Sequence, residues 1–205
     1  SCWRWQRPNL FCTTEDLFTQ TIVVPYLIPM LERAGAVVYT PRERDWQKNE
    51  VLVDNDNGRG YVEDDGREKW RTAQAKGFAP RNGVYRDGEN PFLQGTARQV
   101  RTVRKGHESW ASYQPQIPQA GRYAVYVSYQ TLPNSVSDVQ YIVCHKGQRT
   151  LFRVNQQMGG GTWVYLGTFD FDSGSSTDNR VIITNLSDHK GVITTDAVRF
   201  GGGMG

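Results

Sequence analysis

The chain has 205 residues and a mass of 23.3 kDa, enough for one domain of ordinary size and a smaller piece. Hydrophobic residues make up 38% and charged residues 22%, a composition typical of a globular domain and not of a disordered chain. No apolar run reaches the roughly 18 residues of a membrane span. A net charge of +3 is too weak to indicate nucleic-acid binding. We therefore expect no nucleic-acid partner and no membrane span.

Residues 1–46 have the pattern of a short α/β fragment. An acidic first turn around Glu15 predicts a helix start, since acids favour the positive end of the helix dipole. Pro25 interrupts the apolar stripe and predicts a kink or two short helices. Gly35 predicts the helix end, and residues 37–39 then predict a short buried strand. One such unit cannot bury its own core, so it must pack on something else.

From Val51 onward, strand-like runs alternate with turn signals. In one of them, Tyr123, Val125 and Val127 share a face with period two. The fold class that we predict is mainly β, an antiparallel β-sandwich of jelly-roll-like, galactose-binding-like architecture after the α/β fragment. The predicted strands cover residues 51–54, 97–103, 122–130, 139–146, 150–156, 163–171, 180–186 and 192–200.

Residues 64–95 contain many glycines and prolines and predict a long loop that carries aromatic and basic side chains. Trp70 and Tyr85 in this loop are candidates for stacking on a sugar ring, although aromatics also pin long loops by packing. The polar run Asn155, Gln156 and Gln157 would supply hydrogen bonds to the same ligand. By contrast, the patterns around Trp110 and Trp163 favour core packing.

Three carboxylates predict a second kind of site. Asp54 and Asp56 follow the first strand of the sandwich, and Asp196 precedes the last. The first and last strands of a sandwich often lie side by side, so these side chains could converge on calcium, which takes six to eight oxygen ligands. The simpler alternative is turn chemistry at residues 54–58 and backbone hydrogen bonds to Asp196, and the small number of ligands favours it.

The second half of the chain resembles a known family in the order and spacing of six motifs. They include residues 117–127 (IPQAGRYAVYV), 141–147 (YIVCHKG), 160–163 (GGTW) and 195–200 (TDAVRF). This pattern, over about residues 50–201, is similar to the golvesin C-terminal-like domain, which is also found attached to xanthan lyases. The resemblance implies a β-sandwich accessory domain that is like a carbohydrate-binding module and belongs to secreted, periplasmic or cell-envelope proteins.

Residues 14–45 resemble the glutamate-helix-strand segment of zinc-dependent N-acetylmuramoyl-L-alanine amidases. The resemblance implies that Glu15 corresponds to a zinc ligand of that family. The family's histidine motifs and catalytic glutamate have no counterpart in the sequence, and a zinc site needs about three protein ligands. A first-turn helix acid is the favoured interpretation of Glu15, and we expect zinc only in a longer parent protein.

These observations predict a non-catalytic module that binds a cell-wall glycan or polysaccharide, or that positions an adjacent amidase-like domain on the wall. No catalytic residue and no cofactor are assigned to this chain, apart from the calcium hypothesis. Three alternatives stay open: part of a zinc amidase that acts on peptidoglycan, a xanthan-lyase-type polysaccharide-degrading protein, and a structural spacer or interaction domain.

Overall fold

The computed structural model describes residues 21–38, 45–80 and 89–203 of the chain. The first of these ranges is helical. A π-helical turn, Val23–Leu27, leads into helix α1, Ile28–Arg33, and the predicted interruption is confirmed because Pro25 lies inside the π-helical turn. Gly35 follows α1 with a φ of +87°, a left-handed conformation that favours glycine at a helix end.

The strand predicted at residues 37–39 is wrong for the two residues that are described. Residues 37 and 38 have no regular secondary structure, and Val37 is 80% exposed. Its side chain therefore has no core to pack against. Residues 1–20 and 39–44, and with them Glu15, lie outside the described residues. Within the described ranges, no helix has the length and apolarity to cross a bilayer.

The described residues after Asp45 form twelve strands in three antiparallel sheets. The four-stranded sheet has the order β1 (Glu50–Asp54), β12 (Ala197–Gly201), β6 (Gly121–Val127), β9 (Val164–Phe171). The five-stranded sheet has the order β2 (Tyr61–Asp64), β5 (Trp110–Tyr113), β10 (Arg180–Thr184), β7 (Val139–His145), β8 (Gln148–Val154). The three-stranded sheet has the order β11 (Val192–Thr195), β4 (Gly95–Arg101), β3 (Arg71–Gly77), and Pro91–Leu93 forms a short 3-10 helix before β4.

One hydrophobic core joins the four-stranded and five-stranded sheets. Alternate residues of each strand point inward, such as Val125 and Phe200 from one sheet and Tyr141 and Val181 from the other. The buried tyrosines keep their hydroxyls hydrogen-bonded; for example, Tyr113 Oη lies 2.6 Å from Thr195 Oγ1. The predicted antiparallel β-sandwich is therefore confirmed.

The sandwich begins and ends on paired strands. β1 and β12 run antiparallel, with Glu50 opposite Gly201 and Asp54 opposite Ala197. Beyond the strands, Gly202 N–H donates to the Gln47 carbonyl at 3.0 Å. The chain therefore enters and leaves the sandwich at neighbouring positions.

Three strands were not predicted, and all are short or polar. β2 has four residues, β5 has four, and β3 contains Arg71, Gln74 and Lys76. The predicted long loop at residues 64–95 is wrong in its first half, because β3 lies there and pairs with β4. The predicted strand at residues 192–200 is divided at Asp196 between β11 and β12, which belong to different sheets.

Candidate functional site

Trp70 is not available as an exposed sugar-stacking residue. Its side chain is 6% exposed and belongs to the hydrophobic core, and its Nε1 donates to the Trp110 carbonyl at 3.1 Å. The interpretation that the aromatic side chain pins the segment by packing is therefore the correct one for Trp70. Tyr85 lies outside the described residues.

The polar run at residues 155–157 has a structural role at its centre. Gln156 is fully buried, and its amide donates to Tyr141 Oη at 3.1 Å and to the Thr194 carbonyl at 2.8 Å. Removing this side chain would leave buried polar groups without partners. Asn155 and Gln157 are exposed, and Asn155 Oδ1 accepts from Gln157 N at 3.0 Å.

The three predicted calcium ligands lie near each other, as the pairing of β1 with β12 requires. Asp196 is fully buried and accepts from Phe78 N at 2.9 Å and from Ser128 Oγ at 3.0 Å. Asp54 is also fully buried; its Oδ1 accepts from Asp56 N at 2.7 Å, whereas its Oδ2 has no hydrogen-bond partner. Backbone and hydroxyl donors therefore occupy much of this cluster, as the simpler alternative predicts.

Burial is the main cause of the raised pKa values in this cluster. Loss of solvation raises the pKa of Asp54 to about 7 and the pKa of Asp196 to about 7, and the negative charge of Asp56 adds to both shifts. Among the described residues, no group of three or more His, Cys, Asp or Glu side chains is arranged to hold a metal ion. Calcium stays a prediction, and the chelation experiment in the Discussion tests it.

The outer face of the five-stranded sheet carries the apolar side chains that the core does not use. In β5, Ala111 and Tyr113 point into the core, so Trp110 and Ser112 point outward. The register places an apolar row, interrupted by one serine, across all five strands. This row consists of Val62, Ser112, Ile182, Ile142 and Leu151. Val62 is 56% exposed and Leu151 is 53% exposed, so the row is open to solvent at both edges.

A pocket of about 220 Å³ lies on this outer face. Trp110 and the two isoleucines form its apolar part, and the polar part combines cationic, acidic and hydroxyl side chains. The polar residues are Glu108, Arg149, Arg180 and Thr184. We call this pocket the sheet-face groove.

Two polar atoms in the walls of the sheet-face groove are buried without a hydrogen-bond partner. Thr184 is 4% exposed and its Oγ1 has no hydrogen-bond partner, and Arg180 Nε is also buried without a partner. A buried polar atom that lacks a partner costs about 1–3 kcal/mol. Atoms of the same kind occur elsewhere among the described residues, such as Arg199 Nε, so they do not by themselves mark a binding site.

Trp110 is a rigidly held platform in this groove. Its strand is paired on both sides, with Asp64 of β2 and with Thr184 of β10. The sequence pattern around Trp110 was interpreted as core packing, and the structure corrects this, since the indole is only partly buried and lines the groove. The signal in the sequence was the alternation in residues 110–113, where Ala111 and Tyr113 are the inward pair.

The comparisons with known proteins agree on the second half of the chain. The family model described as the Golvesin C-terminal domain matches residues 88–202. That range contains every residue that lines the sheet-face groove. No part of the match covers residues 1–46, where the amidase-like fragment was predicted.

Two xanthan lyases share sequence and structure with the chain. The xanthan lyase of Bacillus sp. (strain GL1) is 30% identical over 150 residues, which cover 73% of this chain and 14% of that protein. The structure of Paenibacillus xanthan lyase superposes with a TM-score of 0.58 at 26% identity, covering 75% of this chain and 13% of that one. The C-terminal CBM6 of LamC, a laminarinase from Zobellia galactanivorans, gives a TM-score of 0.45 at 12% identity, with 75% of this chain and 99% of that chain covered. The chain thus spans about one seventh of the xanthan lyases that it matches.

Proposed function

Because the chain belongs to the Golvesin C-terminal domain family, we propose that it is a non-catalytic glycan-binding module. The proposed ligand is a polysaccharide that lies across the outer face of the five-stranded sheet. The observation that carries the proposal is the sheet-face groove, in which a partly exposed indole lies beside arginine, glutamate and threonine side chains. A flat apolar platform with a few polar groups around it is the usual composition of a small-ligand site.

The chemistry of the groove suits a sugar chain. A pyranose ring presents C–H groups on its faces and hydroxyls at its rim, so the indole of Trp110 would cover a face while the polar side chains bond the rim. The cations Arg149 and Arg180 donate, and Glu108 accepts. Because paired strands fix the backbone at Trp110, Arg149 and Arg180, binding would have to order side chains only.

The number of carboxylates in the groove favours glycan binding over glycoside hydrolysis. Glycoside hydrolysis generally uses two carboxyl groups on opposite sides of the scissile bond. Glu108 is the one carboxylate among the described residues that line the groove. One shallow site gives modest affinity, so the parent protein would gain strength by combining this module with other contacts to the same polymer.

The decisive experiment compares two tryptophan substitutions by affinity electrophoresis on a panel of soluble polysaccharides and by pull-down on peptidoglycan. Trp110→Ala should weaken binding at least about tenfold, because the stacking platform is lost. Trp46→Ala is the matched control, since Trp46 is 64% exposed and does not line the groove. Equal retardation of both variants, or no retardation of the unmodified protein by any glycan, would overturn the proposal.

We further propose that the module serves a secreted or envelope-directed protein with an adjacent amidase-like domain. The golvesin-like resemblance of residues 50–201 supports the secreted or envelope setting, and the resemblance of residues 14–45 supports the amidase-like neighbour; Glu15 lies outside the described residues. Zinc content and amide release from peptidoglycan, measured on this chain, test the enzymatic alternative, and we expect neither. Bound zinc together with amide release would instead support the amidase interpretation and contradict the non-catalytic proposal.

A further inference from the structure

A second pocket, of about 410 Å³, has a different composition from the sheet-face groove. Its lining includes Arg67, Arg104, Lys190 and His189, with Glu68 as the one carboxylate among the described residues that line it. Three permanent positive charges therefore face one negative charge. We call it the cationic pocket.

Hydrogen bonds hold the loop that presents His189 and Lys190. Thr102 Oγ1 donates to the His189 carbonyl at 2.9 Å and accepts from Gly191 N at 2.9 Å. At the other end of the loop, Asp138 accepts from Ser187 Oγ at 2.5 Å and from Asp188 N at 2.8 Å. The backbone of the loop is thus fixed at both ends, so a ligand would have to order only the side chains of His189 and Lys190.

Arg104 is tied to the same loop. Its Nε donates to the Asp188 carbonyl at 3.2 Å, so one edge of the guanidinium is engaged while the side chain stays exposed. An arginine held at one edge can still offer its remaining N–H groups to a carboxylate, sulfate or phosphate. Such an anion would also relieve the repulsion among the three cations.

The cationic pocket adjoins the sheet-face groove. Thr184 lines the groove, and the next residue, Asn185, accepts from Val103 N of the cationic pocket at 2.9 Å and donates to the Ser109 carbonyl at 3.0 Å. Ser109 in turn lies between Glu108 and Trp110 of the groove. Arg67 N of the cationic pocket also donates to the His107 carbonyl at 2.9 Å, one residue before Glu108 of the groove, so neighbouring backbone segments line both pockets.

We propose that the cationic pocket binds the acidic substituent of the polysaccharide whose neutral ring lies on Trp110, so that the ligand class is an acidic polysaccharide. This inference rests on the proposed glycan-binding function. The shared chemistry is an oxyanion, which a uronate carboxylate, a sulfate ester or a phosphodiester can supply. The cationic pocket selects for the acid, and the sheet-face groove holds the sugar ring.

The test uses matched polymer pairs that differ only in charge. The full chain is titrated with polygalacturonate and its methyl ester, with dextran sulfate and dextran, and with a phosphomannan and its dephosphorylated form, each at low and high salt. We expect the acidic member of at least one pair to bind at least about tenfold more tightly at low salt, with the difference shrinking as salt screens the charges. The pair that shows the largest difference identifies the oxyanion.

Variants separate this inference from the proposed function. Arg104→Ala combined with Lys190→Ala should remove the preference for the acidic polymer and leave binding of the neutral polymer unchanged. The control, Lys48→Ala combined with Arg59→Ala, removes the same charge at exposed positions outside both pockets. Trp110→Ala should weaken both members of a pair.

The outcomes are distinct. Equal behaviour of the cationic-pocket variant and its control would overturn the inference while leaving the glycan proposal intact. Neutral and acidic glycans unaffected by Trp110→Ala would overturn the proposed function, while a selective effect of the cationic-pocket variant would still show an anion site. Binding of a single-stranded oligonucleotide as tight as that of the acidic glycans would overturn the assignment to a glycan.

Discussion

The outer faces of the two main sheets carry similar side chains, but the arginine–aromatic layer is more deeply buried on the four-stranded sheet than on the five-stranded sheet. On the four-stranded sheet, Arg199 is 4% exposed, and its guanidinium carbon lies 4.3 Å from the Tyr126 ring centroid and 5.6 Å from the Trp163 ring centroid. Chain segments outside the sheet complete this layer, since Asp45 accepts from Tyr126 Oη at 3.0 Å and Phe78 packs on Trp163 at 4.9 Å. This face is closed by the protein itself.

On the five-stranded sheet, an arginine, an aromatic ring and aliphatic side chains line an open groove among the described residues. Trp110 is only partly buried, and Leu151 at the edge is 53% exposed. Among the described residues, an aromatic-arginine layer is therefore packed by the chain on one sheet and partly exposed on the other, and the exposed layer is the one that we propose as the binding surface. The following experiments probe that difference, beginning with the largest expected effect.

The protein should be more stable at acid pH than at neutral pH, because of buried carboxyl groups on or against the four-stranded sheet. Among the described acids, those with a raised pKa are Asp45, Asp54 and Asp196, all on the four-stranded sheet or packed against it, with burial as the main cause. Asp54 and Asp196 hold protons up to about pH 7 in the folded state, whereas the unfolded chain releases them near pH 4. The free energy of unfolding should therefore fall by several kcal/mol as pH rises from about 4 to about 7, and level off above.

Urea unfolding at about pH 5 and about pH 8 measures this slope. Asp54→Asn should reduce it by about half, while Asp170→Asn, at an exposed position, should not change it. A flat profile in the unmodified protein would contradict the raised pKa values. The same assay tests calcium: we expect no change on chelation, whereas a metal that replaced the protons would abolish the slope and raise the melting temperature at pH 8.

Arg199→Ala should destabilise the closed face by about 3 kcal/mol, because the cation–π contacts are lost and a buried carboxylate, Asp45, loses a nearby positive charge. Arg180→Ala on the open face should cost less than about 1 kcal/mol. Chemical denaturation of the two variants gives both values. Equal losses of unfolding free energy would mean that the two arginines contribute equally to stability and that the two faces do not differ in this respect.

The two tryptophans should separate stability from binding. Trp163→Ala should lower the free energy of unfolding by about 2 kcal/mol, because Trp163 packs against Phe78 and Phe92, and should leave glycan binding unchanged. Trp110→Ala should cost about 1 kcal/mol of stability and most of the binding. Melting temperature and affinity electrophoresis together test the pair, and a binding loss in the Trp163 variant alone would reverse the assignment of the faces.

Thr184→Val should change the free energy of unfolding least, and unlike the other substitutions it should not destabilise the protein. Its hydroxyl is buried without a partner, so valine should be neutral or stabilising by up to about 1 kcal/mol. Thr194→Val is the control, because the Thr194 hydroxyl donates to the Gln130 carbonyl at 2.6 Å and its loss should destabilise. Destabilisation by Thr184→Val would show that the hydroxyl has a structural partner.

The sandwich was predictable because the inward residues of its long strands recur with period two. Tyr123, Val125 and Val127 of β6 belong to the core, as do Val139, Tyr141 and Val143 of β7. The calcium hypothesis assumed that the first and last strands are adjacent, and β1 does pair with β12. Local pattern and global packing agree in these strands, so the sequence alone is informative there.

The candidate site was less predictable because it depends on which face of a short strand is inward. In β5, a small alanine and a tyrosine are the core residues, while the larger tryptophan points outward. Trp70, flanked by lysine and arginine, has the sequence surroundings of an exposed residue and is buried by β5 and β4, which are distant in the sequence. Only the register between strands places Arg149, Arg180 and Trp110 together, and no local signal encodes that register.

The neighbouring ends of the sandwich have a mechanical consequence. Because Glu50 lies opposite Gly201, tension applied through the two flanking segments would act across the β1–β12 ladder and not along it. Hydrogen bonds of that ladder would then break one after another, at low force, beginning where Gly202 meets Gln47. The five-stranded sheet, which contains neither terminal strand, would be loaded last, so the sheet-face groove would keep its shape while the first ladder opens.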